Sequence, residues 1–166
     1  MPLIHEDGTG VLNADSYVSV AEADAYHSLR GNDAWGLIGT ETKEALLRKA
    51  SDYITDKYRG AFIGNVYYNG NILAWPRFSH EIRYYNLLSV GVPLEVRQAT
   101  AELALIANTE NLTPNISRGK KRVKVGSIEV EYDGNSPMQT QFVTASLRLT
   151  AYLRSGTNGM ARLQRV

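Results

Sequence analysis

Residues 40–60 read TETKEALLRKASDYITDKYRG, and this stretch decides the fold class. Leu46, Leu47, Ala50, Tyr53, Ile54 and Tyr58 recur at helical spacing, so one face of a long helix is apolar. Glu41 and Glu44 suit the positive end of its dipole, and Thr40 is placed to cap it. Gly60 is a natural C-terminal stop. A helix with one such stripe needs other helices to cover it, so the neighbouring segments are read for partners.

Upstream, Ser19 with Glu22 three residues on makes a capping box, and Val20, Ala23 and Tyr26 or His27 share the face of a short helix. Gly31-Asn32-Asp33 ends that helix. Downstream, residues 61–92 read as irregular, with turns at Ile63-Gly64-Asn65 and Asn69-Gly70-Asn71. The rigid Trp75-Pro76-Arg77 lies among them, its Trp75 biased toward extended backbone. A third helix begins at Pro93, with Val96, Ala99, Leu103, Ile106 and Ala107 as its stripe, before the loop at Thr113-Pro114-Asn115. A last helix, about 139–153, carries Phe142, Val143, Leu147 and Leu153.

Residues 121–132 fit a β-hairpin turning at Gly126-Ser127. That register sets Val125 opposite Ile128 and Val123 opposite Val130. It also pairs Lys124 with Glu129 and Arg122 with Glu131 across the strands. The competing reading is one long strand bulged at Gly126. The expected fold is therefore mainly α: a small bundle of about four helices with a protruding hairpin and extended N- and C-terminal arms. Residues 1–16 form the N-terminal arm, 17–155 the helical domain, and 156–166 a flexible tail.

The 166 residues suit one domain with a real core. Apolar residues make up 43% and charged residues 21%, as in globular proteins, and the net charge of +1 is far from that of a chain that wraps nucleic acid. With no cysteine, disulfides, thiolate metal sites and cysteine nucleophiles are excluded. The start lacks the pattern of a signal peptide, and no run approaches the ~18 apolar residues of a membrane span. The sequons at Asn111 and Asn115 are accordingly read as chance.

Motifs for catalysis are sparse. His5, His27 and His80 are scattered without metal-ligand spacing. Ser117-Arg118-Gly119-Lys120 matches a Ser-x-x-Lys spacing but lies in a polar loop without the companion motifs of acyl-transfer enzymes. Asp52 and Asp56, one helical turn apart, read as a solvated face beside Arg48 and Lys57. The expectation is a protein without catalysis, metal or cofactor. One basic segment stands out, Arg118, Lys120, Lys121, Arg122 and Lys124. It either meets phosphates in a DNA channel or is a solvated loop whose strand charges Glu129 and Glu131 answer. Of the tyrosines, Tyr53 and Tyr58 fall on the core stripe, while Tyr67-Tyr68 and Tyr84-Tyr85 stand in loops, where such pairs suit protein interfaces as well as base stacking.

The order of motifs resembles the head–tail connector (adaptor, head-completion) family of tailed phages, whose members often carry the label of DnaT-like single-stranded-DNA-binding proteins. The resemblance runs from Tyr17 with Ala23-Asp24-Ala25-Tyr26, through Ala45-Leu46, Ala50, Asp52-Tyr53-Ile54, Tyr58 and Gly60, to Leu73-Ala74-Trp75-Pro76-Arg77. It continues through Val92-Pro93, Val96, Ala99 and Glu102-Leu103-Ala104 to Val125-Gly126, Val130 and Tyr132. The stretch from Phe78 to Val90 is longer than the family pattern. The resemblance implies a virion protein, made in the host bacterial cytoplasm, that forms a dodecamer ring on the portal. Such a ring extends the channel for double-stranded DNA and offers a platform to the next neck or tail protein. On that reading the hairpin residues Val123, Val125, Ile128, Val130 and Tyr132 meet neighbouring subunits or line the channel. Met160, Arg162, Leu163, Arg165 and Val166 dock on the portal, unless the tail is simply loose. The alternative is a small single-stranded-DNA-binding or replication accessory protein.

Overall fold

In the computed structural model the described residues are 1–67, 70–78, 91–114, 122–125, 128–131 and 142–154, with backbone alone for the two strands at 122–131. Five helices and two short antiparallel ladders appear among them: α1 Val20–Ser28, α2 Asp33–Gly36, α3 Thr40–Tyr58, β1 Asn65–Val66, β2 Arg77–Phe78, α4 Leu94–Ile106, β3 Arg122–Val125, β4 Ile128–Glu131 and α5 Val143–Leu149, which runs on as a 3-10 turn over Thr150–Tyr152. The protein is a small, mostly helical bundle with a two-stranded hairpin.

Helix α4 is the element the others share, packing against α3, α5 and α1. Val96, Ala99, Leu103 and Ala104 are fully buried on it. Its alanines let neighbouring helices approach closely, and burying a side chain such as Leu103 contributes about 1.5–3 kcal/mol. Helix α3 supplies the facing stripe as its spacing predicts, with Leu46, Leu47, Ala50, Tyr53, Ile54 and Tyr58 all buried. The α1 capping box forms in full: the Ser19 hydroxyl accepts from the Glu22 amide, and the Glu22 carboxylate accepts from the Ser19 amide. The β3–β4 register is also the expected one, Arg122 opposite Glu131 through Val125 opposite Ile128. That pairing sets aside the single bulged strand.

Four local differences have physical causes. Thr40 is the first helical residue of α3 and Gly39 holds the N-cap position, so no side chain caps this end. A short helix, α2, which the sequence reading does not include, follows directly on the Gly31-Asn32-Asp33 stop, and the burial of its Trp35 ring packs it onto the body. On α5, Val143 and Leu147 are exposed while Ala145 and Leu149 are buried. The two pairs lie on opposite faces, and α5 turns its alanine face inward, which allows the closer packing on α4. Fourth, residues 1–16 fold onto the body instead of reaching away from it as an extended arm. His5 and Ser16 form a parallel bridge, and the Arg48 guanidinium binds Asp15 at 2.6 Å.

The anchor of that N-terminal stretch is Glu6, only 2% exposed. A buried carboxylate is tolerable only when hydrogen-bonded. The amides of Gly8, Gly10 and Val11 donate to its two oxygens at 2.8, 2.8 and 2.9 Å. Gly8 has φ of +104°, and a Cβ there would stand 2.8 Å from the Gly91 Cα at the entry to α4. Only glycine fits both demands.

The Trp75-Pro76-Arg77 segment closes the other side, with a cis Trp75–Pro76 bond. Arg77 is 4% exposed and its guanidinium donates to the carbonyls of Ile63, Arg59, Ala74, Phe62 and Gly64. Burial pushes its pKa down, and the nearby Arg154 and Arg59 charges push the same way. Arg77→Ala would leave several carbonyls without donors and should cost about 3 kcal/mol or more. Arg77→Lys should recover only part of this, because an ammonium lacks the planar fork. Urea unfolding midpoints of the three proteins check the order.

Candidate interaction surfaces

The tyrosines divide by environment. Tyr17 is fully buried; its hydroxyl pairs with Thr55 Oγ1 at 2.6 Å and accepts from the Ala74 amide at 2.8 Å. Burial pushes its pKa up to about 12. Tyr26 donates to the Glu102 carboxylate and accepts from Arg148, and burial together with Glu102 pushes it up to about 12. Tyr58 pairs with Ser146, Tyr53 accepts from Lys57, and Tyr152 donates to Glu95. These rings join helices to one another and offer no stacked platform to bases. Tyr67 is 41% exposed.

Clefts open on the described surface. One, of about 570 Å³, runs along α3 and the loop after α4 and is lined by Lys49, Asp52, Tyr53 and Asp56 with residues 107–113. Burial, with the Asp56 and Asp15 charges behind it, pushes the Asp52 carboxyl up. The described residues contain no group of three or more His, Cys, Asp or Glu able to hold a metal ion. Another cleft, of about 400 Å³, lies over α1 and α2 and is lined in part by Asp24, His27, Asn32, Trp35 and Lys43. At its floor Asp24 Oδ1 accepts from Trp35 Nε1 at 2.7 Å and from Lys43 Nζ at 2.8 Å. Among the described residues, no helix is long and apolar enough to cross a membrane.

The whole chain, residues 1–166, matches the model of a family described as "Putative DnaT-like ssDNA binding protein". The chain belongs to this family. No curated protein and no solved structure matches it.

Several residues singled out in the sequence lie outside the described residues: Arg118, Lys120 and Lys121 of the basic segment, Ser117, His80, Tyr68, Tyr84, Tyr85, Tyr132, and the tail residues Met160, Arg162, Leu163, Arg165 and Val166. Arg122 and Lys124 stand on β3, and Val123, Val125, Ile128 and Val130 occupy the hairpin register. Asp52 and Asp56 share the wall of the first cleft, whereas Arg48 turns away from them to Asp15 and Glu44.

Sequence reasoning missed two polar centres in this family member. One is Arg77, for which the Trp-Pro-Arg run was the available signal. The other is the set Asp24, His27, Asn32, Trp35 and Lys43, whose members come from three helices and the α1–α2 turn, and which no spacing announces. His27 is 1% exposed. Its Nε2 lies 3.1 Å from the Ala101 carbonyl, which can only accept, so Nε2 carries the proton. Nδ1 then accepts from the Asn32 amide at 3.0 Å. The ring also stacks on Trp35, with centroids 4.6 Å apart.

Burial pushes the His27 pKa below 6.5, against the opposing pull of the Ala101 hydrogen bond and of the Glu102 and Asp24 charges. Below pH 6.5 the unfolded chain therefore binds more protons than the folded one. Stability is present above that pH and is lost as the medium is acidified. The thermal midpoint of the wild type should fall on acidification from neutrality, and His27→Gln should flatten that fall. A midpoint with the same pH dependence in both proteins would show that other groups carry it.

Proposed function

We propose that the protein is a head–tail connector subunit of a tailed phage, a structural ring component that sits on the portal, extends the DNA channel and presents a surface to the next neck or tail protein. The observation that carries this reading is the character of the described surface. Leu29, Leu37, Leu94, Val143 and Leu147 stand exposed on a body whose buried tyrosines tie helix to helix. Exposed apolar groups on helices suit protein neighbours, and a single-strand binder needs aromatic rings open to bases beside cations. The body also suits repeated contacts, because Glu6 fixes the N-terminal segment and Arg77 the segment after α3 from within. Its partners on this reading are copies of itself, the portal, a downstream neck protein and the passing double-stranded DNA, with the virion neck as its place. No step of the role calls for catalysis or a cofactor.

A second reading, a small single-stranded-DNA-binding or replication accessory protein, is favoured by the family description alone. Electron microscopy of the protein mixed with its portal should show a ring added at the portal's narrow end. Salt-sensitive binding to single-stranded oligonucleotides without any added ring would favour the second reading instead.

The basic segment and the tail take separate roles. Removal of residues 159–166 should abolish portal binding and leave the thermal midpoint unchanged; retained binding would end the docking role of Met160, Arg162, Leu163, Arg165 and Val166. Charge reversal at Lys120, Lys121 and Arg122 should change DNA retention without affecting ring assembly, and loss of assembly would make them interface residues.

A further inference from the structure

The cleft over α1 and α2 has a charged floor that the fold only half uses. Lys43 reaches it from α3 with its side chain 10% exposed, and its Nζ donates to Asp24 Oδ1 at 2.8 Å. The same oxygen accepts from Trp35 Nε1. An ammonium carries three N–H donors, and each carboxylate oxygen accepts in its own right. Two donors of Lys43 and the whole of Asp24 Oδ2 therefore have no partner among the described residues. A donor held this deep costs stability until something in the cleft accepts from it.

The cleft has room for one amino-acid side chain, at about 400 Å³. Its approach is open: Leu37 stands 89% exposed beside it, and a Cβ built on Gly36 would meet nothing within 4 Å.

The floor charges set the kind of ligand. Lys43 and Asp24 neutralise each other, and Asp33 adds a second carboxylate to the lining. An anion would gain from Lys43 and be repelled by both carboxylates. A cation would accept nothing from Lys43 and would stand beside its charge. Either ion would also give up its hydration on entering. A neutral group that accepts and donates side by side answers both halves of the floor, and a primary carboxamide has that form. A nucleobase edge offers a similar pair, but bases bound to proteins also stack on open aromatic faces. Trp35 and His27 are each 1% exposed and lie against one another, so neither ring offers a face.

We propose that this cleft binds an uncharged carboxamide, the side chain of an Asn or Gln presented by a protein partner. Its carbonyl accepts from Lys43 Nζ, its amide N–H donates to Asp24 Oδ2, and the partner residues beside it rest on Leu37. The site goes beyond the connector reading and does not depend on ring formation. One such side chain binds weakly by itself and gains when other contacts hold the partner in place.

The test titrates the isotope-labelled full chain with N-acetylglutamine methylamide and follows three groups by NMR. These are the Trp35 indole N–H, which shares Asp24 with Lys43, and the backbone amides of Gly36 and Leu37. All three signals should move and saturate. N-acetylalanine methylamide, acetate, methylammonium and cytidine should each move them less. Lys43→Met keeps the apolar stem and removes the donors, so it should weaken the glutamine derivative roughly two- to tenfold. No saturable shift, or equal shifts from the alanine derivative, would overturn the site. Tighter binding of acetate or methylammonium would make it an ion site, and tighter binding of cytidine a nucleobase site; each overturns the carboxamide assignment. Equal affinity in a folded Lys43→Met would overturn the role of the floor. Should that variant not fold, the comparison of ligands on the wild type still decides.

Discussion

The segment between α3 and α4 depends on the buried guanidinium of Arg77. Its five N–H groups meet five carbonyls, three of them consecutive at Phe62, Ile63 and Gly64. No carboxylate shares the site in these bonds; the charge is balanced by peptide dipoles. That arrangement fixes the chain just after α3, and the same strip of backbone receives the end of the last helix. Phe62 bridges to Leu153, the Ile63 amide donates to Tyr152, and the Arg154 amide donates to Ala61. The seating of α5 on α4 thus depends on a loop that one arginine holds in shape.

Around that centre the polar groups in the core act as rivets between elements. Tyr17 ties the chain before α1 to Thr55 of α3 and to the Ala74 amide beside Arg77. Tyr26 joins α1 to α4 and α5, and Tyr58 joins α3 to α5. Each of these residues brings a large apolar ring with a hydroxyl that must find a partner when buried, which specifies one arrangement more sharply than an aliphatic side chain does. An aromatic inventory rich in tyrosine, which at sequence level is equally compatible with base stacking, is largely a packing device among the described residues.

Much of the helical frame was legible because it follows from local rules. The α3 stripe, the Ser19–Glu22 capping box and the hairpin register all follow from spacings within a few residues, and Pro93 marks the start of α4 from the N-cap position, one residue ahead of the first helical residue Leu94. The candidate sites were legible only as compositions. A basic run or a loose-looking tail can be read from sequence, but which surface it meets cannot. The face that α5 presents was likewise hidden: its apolar residues include two opposite pairs, and periodicity does not say which pair turns inward.

The sequence by itself determined that the chain is mainly helical, where its long helices begin and which hairpin register its charges permit, because these depend on dihedral preference and on neighbours three or four residues away. Only the tertiary structure decided that the first residues lie on the body through Glu6, that His27 is buried between Ala101 and Asn32, that Arg77 finds its partners in backbone carbonyls, and that Val143 and Leu147 face outward. Those outcomes are set by contacts between residues far apart in the chain, where the shape of the remaining space and the cost of leaving buried polar groups unpaired select the winner.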